Sequence, residues 1–191
     1  MVKVGIGVTA MLLVLAGGVL GYARLTGLSA RPAPASLEAD VAGFVRGFAI
    51  PPAERQRQNP VPVSDDALAE GLAHFADHCA VCHSNDGAGT SETGRGLFPR
   101  PPDMRGATTQ ALTDGELFYV IENGVRFTGM PAFGTGTAEG EAQSWRLVHF
   151  MRRLPRLSDD DRAAIAALVP RSPAAIREDI EAEAFLKGEQ P

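Results

Sequence analysis

Cysteine occurs only twice in this chain, and both copies fall in one pentapeptide, Cys79-Ala80-Val81-Cys82-His83. Two thiols separated by two residues and followed directly by an imidazole are what a covalently attached haem requires. The thiols add across its two vinyl groups, and the histidine is held beneath the iron as the proximal ligand. Two other chemistries draw on the same residue types. A thioredoxin-like redox pair wants a βαβ setting, which the flanking sequence lacks. A zinc site would recruit His74 or His78, but structural sites generally use two separated ligand pairs, and no second cysteine pair exists. The pentapeptide therefore predicts a chain built around one covalent haem c, with Cys79, Cys82 and His83 as the attachment residues.

The second constraint is at the start of the sequence. From Val4 to Ala23 no residue is charged, and a helix of that length is about 30 Å long, enough to span a bilayer core. The competing reading is a cleaved signal peptide, because Gly21-Tyr22-Ala23 places small residues at a possible cleavage point. The length of the run and the sparse basic leader, Lys3 and the terminal amine, favour a retained anchor. Arg24 and Arg31 balance those two charges, so the positive-inside count does not orient the span. Thioether formation does, since it needs an oxidising compartment. The expectation is a single-pass protein of the cytoplasmic (inner) membrane, with its haem domain on the periplasmic side.

Charge excludes one class of partner. Of the ionisable side chains between residues 64 and 154, seven are basic and twelve acidic, so there is no footprint for nucleic acid. Segmentation follows from Pro, Gly and apolar spacing. Residues 1–24 are the anchor, 25–63 a linker with a short amphipathic helix, 64–155 the haem domain and 156–191 a helical tail. In the linker, Ser36 is placed to cap a helix whose Val41, Phe44, Val45 and Phe48 recur at helical spacing, as an amphipathic segment lying on the membrane or on the domain surface. Pro51, Pro52, Pro60 and Pro62 predict an extended connection after it.

Within the domain, Ser64 with Asp65 and Asp66 starts a helix that carries Leu68, Leu72, Phe75 and Cys79 near one face. Residues 84–113 read as a loop, Asp114 to Glu122 as a short helix closed by Asn123-Gly124, and a Gly-rich loop runs on to Gly140. Ala142 to Leu154 forms a helix with Leu147, Phe150, Met151 and Leu154 on a common face. Ser158 with Asp161 starts another helix as a capping box, and Ser172-Pro173 a last one that Gly188 ends. No useful β-alternation occurs, so the fold class is all-α.

This order of elements resembles a class I c-type cytochrome, closest to the monohaem cytochromes related to subunit III of cbb3-type oxidases. Gly71, Phe75, Cys79, Cys82 and His83 fit the pattern Gly-x3-Phe-x3-Cys-x2-Cys-His. The resemblance covers roughly Ser64 to Pro155. It implies that the glycine lets the first and last helices cross closely beside Phe75, with Phe150 packing at the crossing. It also implies a sixth iron ligand, Met130 in Gly129-Met130-Pro131, whose thioether favours the ferrous state. Met104 occupies a position where the family usually carries a packing aliphatic, and Met151 falls on the apolar helix face. Pro99 resembles the proline whose carbonyl orients the proximal histidine, with Pro101 as the alternative. Ser84 stands where the family often has glycine.

Arg95, Arg100, Arg105 and Arg126 are candidates for haem propionates or a docking ring, or are simply solvated. Trp145 is a candidate propionate donor or a core aromatic. His74 and His78 form at most an incomplete metal pair, and His149 is a helix-face residue. No catalytic base, nucleophile or substrate pocket is legible. The function expected is single-electron transfer between redox protein partners by a membrane-anchored carrier, not an enzyme in itself. The alternatives are an electron-entry subunit of a larger respiratory or dehydrogenase complex, and a haem-based sensor or gas-binding module.

Overall fold

The computed structural model describes residues 2–170 and 173–188, all of whose regular structure is helical. It divides into two units, Met1–Pro32 and Ala33–Pro191. The first is a single helix, α1 (Val2–Thr26). Its stretch Gly5–Thr26, 22 residues, is the one helix among the described residues long and apolar enough to cross a membrane.

The second unit begins with α2 (Ser36–Ala49), whose N-cap is Ala35 in extended conformation and not the expected Ser36, which is already inside the first turn. The Pro-rich stretch expected to be an extended linker is instead a strap folded onto the domain. Ile50 is buried, and a single turn, α3 (Pro52–Arg55), follows it. The Arg57 guanidinium then lies 4.4 Å above the Phe118 ring and 5.3 Å from that of Trp145, while pairing with Glu54 and Glu141. A cation–π contact held by two ion pairs favours a fixed arginine. Asn59 donates to the Trp145 carbonyl at 2.9 Å, and His149 Nε2–H donates to that of Val61 at 2.7 Å. Proline spacing does not announce these contacts, because it reports backbone stiffness and not what the stiff segment lies on.

The core is the crossing of α4 (Asp65–His74) with α9 (Ala138–Arg153). Ser64 caps α4 as expected, its side chain accepting from Ala67 N–H. At the crossing, a Cβ on Gly71 would lie 2.9 Å from Phe150 Cβ and against the Arg146 carbonyl oxygen. Only glycine admits that approach. The Phe75 and Phe150 rings meet alongside at 5.3 Å. Leu147, Phe150 and Met151 of α9 and Leu154 directly after it are all buried, each such side chain contributing about 1.5–3 kcal/mol. The helix begins four residues earlier than expected, because Thr137 caps it and accepts from Gly140 N–H.

Between these helices lie two single turns, α6 (Glu92–Arg95) and α7 (Ala107–Gln110), and α8 (Asp114–Asn123), which has a Thr113–Glu116 capping box. Phe118 of α8 stacks on Trp145 of α9 at 4.0 Å. After α9, a 3₁₀ turn leads to α10 (Asp159–Leu168), started by the expected Ser158–Asp161 box. The side chain of Ile165 in α10 is fully buried, so this part of the expected tail packs as core. The last helix, α11 (Pro173–Lys187), ends at Gly188 with positive φ; Ser172, its expected starter, lies outside the described residues.

Candidate functional site

The helix that carries the pentapeptide is not a regular α-helix. From Phe75 to Cys79 it widens into a π-helical turn before returning to α geometry in α5 (Ala80–His83). The buried residues along it explain the widening. Ala67, Gly71, Phe75, Cys79 and His83 are all buried at an unbroken spacing of four, and in a regular helix such a series drifts by about 40° per step. The wide turn takes back much of that drift and keeps both Cys79 and His83 on the inner side. Nothing in the residue types announces it, and π-turns of this sort recur at functional sites.

The structure thus brings Cys79, Cys82 and His83 together on one helical turn, with both cysteines free. Burial pushes the Cys79 thiol up to about 12, with the adjacent Cys82 adding to the shift. Cys82, half-buried, is raised by burial as well. For His83 burial lowers the pKa and outweighs the Pro102 carbonyl, which raises it. The ring is therefore held neutral, the form that ligates a metal. Its Nδ1 is buried without a hydrogen bond.

The backbone carbonyl that acts on His83 is that of Pro102, three residues along the loop from the expected Pro99, though it makes no hydrogen bond to Nδ1. Loop registry accounts for this. Gly89 N–H donates to the His83 carbonyl at 2.8 Å, and Met104 N–H donates to that of Gly87 at 2.8 Å. These bonds lay residues 101–104 beside the turn after the histidine. Met104 itself is buried in the core cluster, in keeping with a packing role.

Ser84, directly after His83, has φ 66° and ψ 161°, a region that is almost wholly glycine's. It is held there by Thr90, whose N–H donates to Ser84 Oγ at 3.0 Å. Met130 is half-buried, and its loop is pinned at both ends: Val125 N–H donates to the Met130 carbonyl at 3.1 Å, and Phe133 and Gly134 donate to the Ile121 and Glu122 carbonyls. A Cβ on the neighbouring Gly129 would meet Leu97 at 2.7 Å, so this loop closes tightly on the one that follows the pentapeptide.

The remaining candidates divide by partner. Arg105 is tied to Asp86 and Asp103, and Arg95 donates to the Thr90 carbonyl at 2.6 Å; both brace the loop. The Trp145 indole N–H is buried without a partner, beneath Arg57 and beside Phe118. His74 and His78 meet edge-on at 5.1 Å.

The donor set fits a haem: two free thiols and a neutral, buried imidazole on one turn, with a backbone acceptor set against the ring. Residues 66–151, from the first turn of α4 to the last of α9, match the family described as cytochrome C oxidase, cbb3-type, subunit III. No curated protein matches the chain.

Proposed function

Residues 66–151 belong to the class I c-type cytochromes related to subunit III of cbb3-type oxidases, and from that premise we propose that the protein is a membrane-anchored, extracytoplasmic carrier of single electrons with one covalent haem c. The observation that carries this reading is the placement of two cysteines, not bonded to each other, and a buried, neutral histidine on one turn of helix. A bound haem supplies a one-electron ferric–ferrous couple. Cys79 and Cys82 hold it through thioether bonds, and His83 is the proximal ligand. The Pro102 carbonyl, which acts on that ring, is the acceptor available to its Nδ1–H. Met130, on its pinned loop, is the sixth ligand.

Denaturing mass spectrometry of the exported protein tests the attachment. The expected mass is the chain plus one haem, and mature, redox-active protein with two free thiols overturns it. Retention of α1 is read separately, by N-terminal sequencing of membrane-extracted protein. A mature chain beginning near Arg24 shows that the first helix is only an export signal.

The description of the matching family as an oxidase subunit supports a second reading, in which the chain delivers electrons as a fixed part of a larger complex. Co-purification with a partner in constant stoichiometry distinguishes it from a free carrier. A sensor would bind carbon monoxide in the reduced state, which a methionine-ligated carrier does not.

A further inference from the structure

The helix α2 has no buried residue. Its apolar side chains are among the most exposed in the chain, with Leu37, Phe44 and Phe48 at 72%, 73% and 80% and Val41 and Val45 just over half exposed. At about 100° per residue, these five project from a single stripe, and Glu38, Asp40 and Arg46 lie outside it. The Phe44 and Phe48 rings stack at 6.3 Å and make the stripe continuous. Sequence leaves two places for such a face, the membrane and the domain surface. The exposure of all five side chains removes the second.

A helix of 14 residues that includes Gly43 and Gly47 does not sustain itself in water. Nucleation is costly, and each glycine costs about 1 kcal/mol relative to alanine. Its stripe therefore needs an apolar phase, and connectivity says which one is within reach. Between Thr26 and Ser36 lie nine residues, which extend to about 30 Å at most. Wherever the end of the apolar stretch Gly5–Thr26 meets the membrane surface, α2 cannot be farther from it than that.

We propose that α2 lies flat in the headgroup interface of the membrane that α1 spans, with Leu37, Val41, Phe44, Val45 and Phe48 turned to the acyl chains. The proposal rests on reading α1 as a retained span. Glu38, Asp40 and Arg46 leave the helix with one net negative charge, so anionic lipid does not attract it. Burial of the stripe drives the association, and zwitterionic lipid suffices. Ile50 follows α2 directly and is buried, and residues 54–61 are strapped to Phe118, Trp145 and His149. No free leash is left between α2 and the haem domain. The domain is held at the membrane surface, and the partner this arrangement suits is a redox protein embedded in the same membrane.

The test uses the full chain in phosphatidylcholine nanodiscs, with a nitroxide at Phe44→Cys or at Arg46→Cys on the opposite side. The label at 44 should collide with oxygen more often than with a water-soluble nickel chelate, and the label at 46 should show the reverse. Adding phosphatidylglycerol or salt should change neither. Equal access of the nickel chelate to both positions overturns the proposal. Shielding of position 44 from both reagents also overturns it, because a protein then covers the stripe. One label per chain shows that Cys79 and Cys82 are occupied, so a failed haem assignment appears as extra labels. A failed anchor assignment appears instead in the N-terminal sequence of the native protein.

Discussion

Gly71 and Phe150 are in contact across the crossing of α4 and α9, with space for a hydrogen but not a methyl group on the glycine: a Cβ there would lie 2.9 Å from Phe150 Cβ and against the backbone of Arg146. Because the second obstacle is main chain, side-chain rotation cannot relieve it. Gly71→Ala should cost about 1–3 kcal/mol, measured by chemical denaturation of the haem-loaded protein. A neutral effect would mean that the two helices do not cross this closely.

Met130 and Met104 should separate function from packing. Met130→Ala should lower the reduction potential and admit exogenous ligands such as carbon monoxide, with a modest change in stability. Met104→Ala, which empties a buried core position, should cost about 2–5 kcal/mol and leave the potential near that of the parent. The opposite pattern in redox titration and ligand binding would reassign the sixth ligand.

Ser84 keeps a glycine's backbone conformation, with φ at 66°. The Ser84→Gly and Ser84→Ala variants both lose the Thr90 hydrogen bond, but only the alanine retains the strain. The glycine variant should therefore exceed the alanine variant by about 1–3 kcal/mol, read from paired denaturation curves. Equal stabilities would show that the turn relaxes.

His74 gives the domain a predictable response to acid. Burial, then the charge of His78, lowers its pKa, against smaller raising effects of Asp77 and the Gln143 backbone; Glu70 and Arg146 line the same hollow. A histidine with a depressed folded pKa favours the unfolded state once protons are available. Its stabilising contribution is complete above the unfolded value of about 6.5, and is lost as pH falls from there through the folded value. His74→Gln should flatten the stability–pH curve in that window while leaving it unchanged above pH 7.

Much of the helical domain is legible in the sequence because local chemistry determines it. Ser64 and Ser158 each carry a cap that the structure contains, and the periodicity of Leu147, Phe150, Met151 and Leu154 marks a face that is buried. The pentapeptide announces its own chemistry. What escapes depends on distant residues. Pro102 stands against His83 through two loop hydrogen bonds, and neither has a one-dimensional signature. The strap reads as a linker in the sequence because Arg57 finds Phe118 and Trp145 only after folding. Residues 138–141 read as loop because Gly140 weakens a helical pattern that the Thr137 cap restores.

The widened turn from Phe75 to Cys79 bears on any attempt to transplant the attachment site. Inserting the pentapeptide alone into a regular helix would carry the thiols and the imidazole but not the extra residue that sets their bearing. Everything after the missing step would be rotated by about 100°, and a ligand meant for the interior would face water. The portable unit is therefore the segment from Gly71 to His83, and deleting a single residue from Ala76 to His78 should abolish haem incorporation even with all three attachment residues intact.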